Sequence, residues 1–331
     1  MNVFITGEKG LIAKNIIKEA KENFPDVNIV TGAVDYLNMH QDGEPCVYKN
    51  SIEQWRFFFE LNKIDVIIHN AAVVNTEVVG MNLERATRTN DEGTYKICMA
   101  AQKCDIPICY MGTTVIYDAF KYQNEKITEE SSYGPHTLYG CQKLAAEYIV
   151  KSHAPKWMII RPLFAYGGEG DMNSLIAKSI YACLNDKKVE MRLDPKKFKD
   201  YMYVSDYANA VLTGISAGLW NDEWNIAAET PLETWQIIET IESVCMLDMS
   251  DTIIWKHRSD YTGNHRLDSS KFRNATGWKP KVSLTQGIKM SYETIIRSRG
   301  YNPLVHLEEA NHKNIDVGEF FNEARIARKT V

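Results

Sequence analysis

Three side chains of this sequence could together move a proton: the hydroxyl of Thr113, the phenol of Tyr139 and the amine of Lys143. Tyr and Lys four apart face the same way only on a helix. The chain holds three such pairs, Tyr117 with Lys121, Tyr122 with Lys126 and Tyr139 with Lys143, so spacing does not choose among them. Context selects the third. Pro135 precedes it, and Leu144, Ala145, Ala146, Glu147, Tyr148 and Ile149 continue it with good helix formers. The other two pairs fall in a polar stretch and are read as solvated loop residues. A phenol titrates near pH ~10 in water, so acid or base work near neutrality needs a stabilised phenolate. Lys143 one turn away would lower the Tyr139 pKa, an oxidised nicotinamide ring nearby would push the same way, and Thr113 would orient the substrate oxygen. The chemistry is acid/base catalysis coupled to hydride transfer at a carbinol or ketone carbon.

A hydride carrier needs a seat, and Thr6-Gly7-Glu8-Lys9-Gly10-Leu11-Ile12-Ala13 could provide it. Val3-Phe4-Ile5 is an apolar run of strand type, and Leu11, Ile12, Ile16, Ile17 and Ala20 follow at helical spacing, so the glycines lie at a strand-to-helix turn. Gly7 allows a tight turn, Gly10 lets backbone N–H groups approach a phosphate, and the helix start offers unpaired donors. The third small position is Ala13, which still permits close helix-to-sheet packing. The second strand, Val27-Asn28-Ile29-Val30-Thr31, puts Thr31 where NAD enzymes often carry an Asp for the ribose. No Arg follows it. Lys9 could reach a 2′-phosphate, and Asp35 is the alternative acid for NAD. The expectation is NADP or NAD, with NADP slightly preferred.

The elements that must hold these residues follow from alternation. Apolar runs at 2–6, 27–31, 64–69, 106–112 and 156–161 are separated by helical patterns, the rhythm of a doubly wound parallel α/β sheet of Rossmann type. Right-handed crossovers then bring Gly7, Ala71 and Thr113 to one sheet edge. Residues 1–166, with 203–228 returning, are expected to form the dinucleotide domain. Residues 167–202 and 229–299 are expected to form a smaller mixed α/β substrate lobe, and 300–331 a tail packed on the body through Phe320, Phe321, Ala324 and Ile326.

Composition narrows the class. At 331 residues and a net charge of −5 the chain is long enough for a large α/β unit and is no basic nucleic-acid binder. No apolar run approaches the ~20 residues of a membrane span, and Met1 leads directly into the first strand, which predicts no signal peptide. Seven Cys without paired spacing predict reduced thiols in a cytoplasm, with Cys104 and Cys109 as packing residues. His69, at a strand end, reads as structural. The eight His and the carboxylates show no metal spacing, so no metal is expected. Ser131, Ser132 and His136 are close only along the chain and do not make a triad.

Across residues 1 to 295 the chain resembles the extended short-chain dehydrogenase/reductases of the NAD-dependent epimerase/dehydratase group. The resemblance rests on an ordered series: Asp65-Val66-Ile67-Ile68-His69-Asn70-Ala71-Ala72, Asn90-Asp91-Glu92-Gly93-Thr94, Gly112-Thr113-Thr114-Val115-Ile116-Tyr117, Tyr139 to Lys143, Arg161-Pro162, Tyr166-Gly167, Asp200 to Ala208, Leu267 to Lys271 and Gly277-Trp278-Lys279-Pro280. It implies that Thr113, rather than Thr114, is the catalytic hydroxyl with Tyr139 and Lys143. It implies cofactor contacts from Ala71 and Ala72 and a cofactor-side hydrogen bond from Asn90. The remaining cofactor candidates are Asn50 and Pro162, beside Gly7, Lys9, Gly10, Leu11, Ile12 and Thr31, with Tyr139 and Lys143 serving the cofactor as well as catalysis. A nucleotide-sugar substrate is implied too, with Thr113, Thr114, Phe164, Lys199 and Arg258 as candidate contacts. Lys196, Lys197 and Lys199 stand where a pyrophosphate-binding Arg is usual, and a solvated charged loop is the competing reading.

Departures from the group narrow the reaction. Its 4,6-dehydratases carry Asp-Glu directly after the catalytic Thr, whereas this chain has Thr114-Val115. Val115 also replaces the acid Cys of the group's epimerase-reductases. Reduction of a 4-keto sugar nucleotide is therefore the first expectation, and 4-epimerisation with retained NAD the second. A non-catalytic dinucleotide-binding regulator is the reading from another class, and Thr113, Tyr139 and Lys143 together argue against it. The resemblance further implies a homodimer through helices over 90–104 and 139–152.

Overall fold

The computed structural model describes residues 1–31, 47–74, 79, 82–191, 194–256, 264 and 266–298. Asp35, Arg258 and the tail from 300 to 331 lie outside the described residues, and nothing here bears on the expectations placed on them.

The chain runs through β1 (Asn2–Thr6), α1 (Leu11–Asn23), β2 (Asn28–Val30), α2 (Ile52–Leu61), β3 (Val66–His69), α3 (Leu83–Thr87), a π-helical turn (Arg88–Glu92) and α4 (Gly93–Cys104). β4 (Ile108–Met111), a 3₁₀ turn (Thr114–Ile116), α5 (Leu138–His153), β5 (Trp157–Pro162), β6 (Phe164–Tyr166), α6 (Leu175–Cys183) and β7 (Val189–Met191) follow. Then come β8 (Phe198–Lys199), β9 (Tyr201–Tyr203), α7 (Val204–Ser216), β10 (Asp222–Ile226), β11 (Leu232–Glu233), α8 (Thr234–Cys245), β12 (Ile253–Trp255), α9 (Ser270–Thr276) and α10 (Leu284–Ser298).

Six parallel strands form one sheet in the order β10-β5-β4-β3-β1-β2. The period-2 alternation of each strand divides the core between two faces. Val3, Ile5, Val66, Ile68, Cys109, Met111, Met158 and Ile160 pack with α1 and α7 on one face. Phe4, Ile67, Ile108, Tyr110 and Ile159 pack with α2, α4 and α5 on the other. Strands buried on both faces read as continuous apolar runs, which is why they are visible in the sequence. The chain leaves β1 for β2 on one side and returns to β3 on the other, so the switch point lies between β1 and β3, and the crevice beyond the carboxyl ends there is where open α/β sheets take ligands. The α/β doubly wound architecture is thus as expected.

The helices that flank the crevice are locally specified. Ser51 and Gln54 form a capping box at α2, and Thr137 caps α5 by accepting from the Gly140 N–H at 3.0 Å. Asp105, in the left-handed region, ends α4. A further apolar cluster joins α6, α8 and α10 with Tyr166, Tyr201 and Tyr203 of β6 and β9. Among the described residues no helix is long and apolar enough to cross a membrane.

One reading of the loop after β4 is corrected. Tyr117 is not a solvated residue: it is 1% exposed, receives a hydrogen bond from Arg161 Nη1 at 2.6 Å and donates to Asn225 Oδ1 at 2.9 Å. Its hydroxyl is met inside the protein by a buried guanidinium that lies 44 residues away along the chain.

Candidate functional site

Gly7 follows β1 with φ +69°, and a Cβ there would sit 3.0 Å from the Ala71 Cα, so neither backbone nor space admits a side chain. The Gly10 N–H donates to the Gly7 carbonyl at 2.9 Å and closes the turn. Gly10 is also the N-cap of α1, no side chain caps that helix start, and its first turn holds no acid. These N–H groups and the positive dipole end make an anion seat.

The loop after β3 is held against this turn by a directional chain of hydrogen bonds. The Asn70 and Ala71 N–H groups donate to Thr6 Oγ1 at 3.0 and 2.9 Å. Thr6 Oγ1 and His69 Nδ1 are 2.8 Å apart, His69 Nε2 and Thr94 Oγ1 are 3.0 Å apart, and Thr94 donates to the Asn90 carbonyl at 2.6 Å. Because Thr94 spends its proton on Asn90, His69 must donate from Nε2 and accept at Nδ1 from Thr6. The imidazole is therefore neutral, and burial holds its pKa down at about 3. The Asn90 side chain clamps the same loop, accepting from the Val73 N–H at 2.8 Å and donating to the Val73 carbonyl and to Gln142 Oε1.

Above the switch point lies a cavity of about 520 Å³, lined by Gly7, Lys9, Gly10, Leu11, Ile12, Ala71 and Ala72 among others. Seven of the candidate cofactor residues thus share one cavity. Val47, Trp55, Arg85, Thr89 and Asn173 also line it and were not singled out from the sequence, since only the fold brings them there. Thr89 Oγ1 and both polar atoms of the Asn50 carboxamide are buried with no hydrogen-bond partner. A glycine cradle, an uncapped helix start and the orphaned Thr89 hydroxyl at the cavity wall fit a dinucleotide. Thr31 is exposed just past β2, Pro162 ends β5, and Asn50 is buried before α2; none of the three lines the cavity.

Thr113 and Thr114 follow β4 at its carboxyl end, where Thr113 is the N-cap of the 3₁₀ turn and 8% exposed. Its hydroxyl accepts from the Val115 N–H at 3.4 Å and lies beside Tyr139, which enters from the first turn of α5. The expected lowering of the Tyr139 pKa by Lys143 is not what this arrangement gives. Burial raises the phenol to about 12, with only the Thr113 hydroxyl opposing it. Lys143 is committed elsewhere, its Nζ donating to the Met111 carbonyl at 2.6 Å and resting 4.1 Å from the Tyr110 ring centroid. Burial pulls this amine down to about 7 against the attraction of Glu147 and Asp91.

Behind the Thr113 turn, Arg161 is fully buried and grips Glu147 through Nε at 3.1 and 3.3 Å and Nη2 at 2.8 Å. A Cβ on Gly112 would lie 2.7 Å from that carboxylate, so the glycine before Thr113 is needed for close packing. Across the crevice Lys199, on β8, is 2% exposed; its Nζ has no hydrogen-bond partner and lies 5.1 Å from the Phe164 ring. It is therefore no part of a solvated loop, whereas Lys197 donates to Gln123 at 3.0 Å. Among the described residues no group of His, Cys, Asp and Glu could hold a metal ion.

Comparison with known proteins agrees with this architecture. Residues 3–227 match the model of the NAD dependent epimerase/dehydratase family. The chain is 26% identical over 313 residues to a mouse dTDP-D-glucose 4,6-dehydratase, covering 88% of this chain and 87% of that one. In structure it is similar to UDP-glucose 4-epimerase from Thermotoga maritima with UDP-glucose (TM-score 0.77, 22% identity, 90% and 100% of the two chains). It is likewise similar to RMD from Pseudomonas aeruginosa with NADPH (TM-score 0.78, 18% identity, 90% and 99%).

Proposed function

The chain belongs to the NAD dependent epimerase/dehydratase family, and from that premise we propose that it reduces the 4-keto group of a nucleotide sugar, with Tyr139 as the acid. The observation that carries the reading is the placement of Thr113 beside Tyr139 at the carboxyl end of β4, in a turn whose next residues, Thr114 and Val115, bring no carboxyl group. Elimination of water needs an acid and a base across adjacent carbons, as in the 4,6-dehydratases with their Asp-Glu. Reduction needs one proton donor. A phenol raised to about 12 is protonated at neutral pH and ready to give that proton to a developing alkoxide. The name of the mouse relative supports the nucleotide-sugar class.

NADPH or NADH, when bound, supplies the hydride. Gly7, Gly10, Leu11 and Ile12 would hold its pyrophosphate at the α1 start, Ala71 and Ala72 would flank it, and Lys9 at the cavity favours NADP slightly. Thr113 orients the substrate carbonyl oxygen toward Tyr139. Lys199 would pair with the substrate pyrophosphate as a point charge beside Phe164. A homodimer would use the outer faces of α4 and α5, where Tyr95 and Tyr148 are exposed.

Tyr139→Phe removes the donated proton and keeps the ring. Turnover of a 4-keto sugar nucleotide should fall by about 10²–10⁴-fold, while the affinity for NADPH or NADH, followed by fluorescence, stays nearly unchanged. Undiminished turnover would overturn the assignment. Conversion without net cofactor use would instead favour the 4-epimerase, which employs the same three side chains.

A further inference from the structure

Gln142 stands on α5 between the two side chains assigned to catalysis, three residues past Tyr139 and directly before Lys143, and no step of the proposed reaction uses it. Its side chain is buried. The carboxamide bridges two elements. Oε1 accepts from Asn90 Nδ2 at 3.0 Å, in the π-helical turn Arg88–Glu92, and Nε2 donates to Thr87 Oγ1 at 3.1 Å, at the end of α3. That turn packs against α5. Single π turns redirect side chains inside helices and recur at functional sites.

Asn90 passes this grip on to the wall of the cavity. Its Oδ1 accepts from the Val73 N–H at 2.8 Å, and its Nδ2 donates to the Val73 carbonyl at 3.1 Å. Both amide hydrogens of Asn90 are thereby committed, one to Val73 and one to Gln142. The pair has a single orientation. The Val73 N–H can only donate, so Oδ1 faces it and Nδ2 faces Gln142, and a reversed Gln142 amide would set two amide NH₂ groups against each other. Val73 lines the cavity with Ala71 and Ala72, whereas the bonds to Thr6 hold the loop only as far as Ala71. The π turn reaches the same wall through the unpartnered Thr89 hydroxyl.

We infer that Gln142 is a positioning residue for the cofactor: through Asn90 it holds Val73 and the loop after β3 where the dinucleotide seats, and so ties cofactor binding to the helix that carries Tyr139 and Lys143. The inference rests on the cavity being the dinucleotide seat, and it holds equally for reduction and for epimerisation. A wall fixed before the ligand arrives costs less to order on binding. Without Gln142 the Asn90 carboxamide loses a partner and is free to turn, Val73 is no longer held, and part of the binding energy goes into reordering the loop.

The test is a fluorescence titration of NADPH and of NADH into the full chain, with amide hydrogen exchange followed at the segment around Val73. Gln142→Leu fills similar space without polar atoms. Cofactor affinity should weaken about tenfold, and exchange at Val73 in the cofactor-free protein should speed up. Gln142→Glu, which keeps an oxygen for Asn90, should recover most of both. A Gln142→Leu protein that is less stable yet unchanged in affinity and in Val73 exchange would show a purely structural side chain and overturns the inference. Should Gln142→Leu fail to fold, Gln142→Ser is measured in the same way: it is polar but too short to reach Asn90, and unweakened binding overturns the inference equally. A parent protein that binds neither nucleotide rejects the cavity reading and the inference together, whereas a parent that binds, beside a Gln142→Leu that binds as tightly, rejects Gln142 alone.

Discussion

His69 is buried at the end of β3, and its partners require one neutral tautomer. Its folded-state pKa of about 3 lies below its usual 6.5, so the unfolded chain binds the extra proton in acid. The stability held by neutral His69 is present above pH ~6.5 and is lost as pH falls toward ~3. In urea titrations the advantage of the parent over His69→Gln should therefore shrink steadily across that window; a constant difference would contradict the neutral assignment. The sequence marks His69 as structural from its place at a strand end. It does not reveal Thr6 and Thr94, which are 63 and 25 residues away and meet the ring only because β1, β3 and α4 converge. The same reason hides the true commitment of Lys143. Its spacing from Tyr139 is legible on a helix, but the Met111 carbonyl that accepts its hydrogen bond belongs to β4.

At the level of elements, the Arg161–Glu147 pair joins β5 to α5 behind the Thr113 turn, with Tyr117, Tyr133 and, at 3.6 Å, Glu223 also meeting the guanidinium. Glu147→Gln keeps the volume and removes the nearer counter-charge, leaving the buried cation only Glu223, 3.6 Å from Nη2. The unfolding free energy should drop by about 3–5 kcal/mol, read as a lower urea midpoint at unchanged slope; a change within about 0.5 kcal/mol would show that the pair is idle. The helix that carries Glu147 is legible because Pro135 and a run of good formers announce it, while the Thr137 cap emerges only in the structure. Tyr117 was misread because solvation was inferred from Asp118, Lys121 and Gln123 beside it, whereas burial comes from a distant strand. The glycine turn was the opposite case, since φ +69° at Gly7 and the backbone of Ala71 are what its glycine announces.

Over the whole molecule, five of the six sheet strands were visible as apolar runs, because strands covered on both faces carry no polar alternation. β10 was harder to see: Asp222-Glu223-Trp224-Asn225-Ile226 is an edge strand with three polar residues in five. The short strands β6 to β9, β11 and β12 are two or three residues long, below the length at which a pattern can be read. The proposed reaction belongs to this scale too, since it would need the cradle at β1, Tyr139 on α5 and Lys199 on β8 to serve one substrate. The most direct test is stoichiometric. The purified chain is given a nucleoside-diphosphate 4-keto sugar with NADPH, and separately with NADH, and oxidised cofactor is counted against reduced sugar. One cofactor oxidised per sugar reduced is the predicted result, and sugar converted with no net cofactor consumed would contradict it.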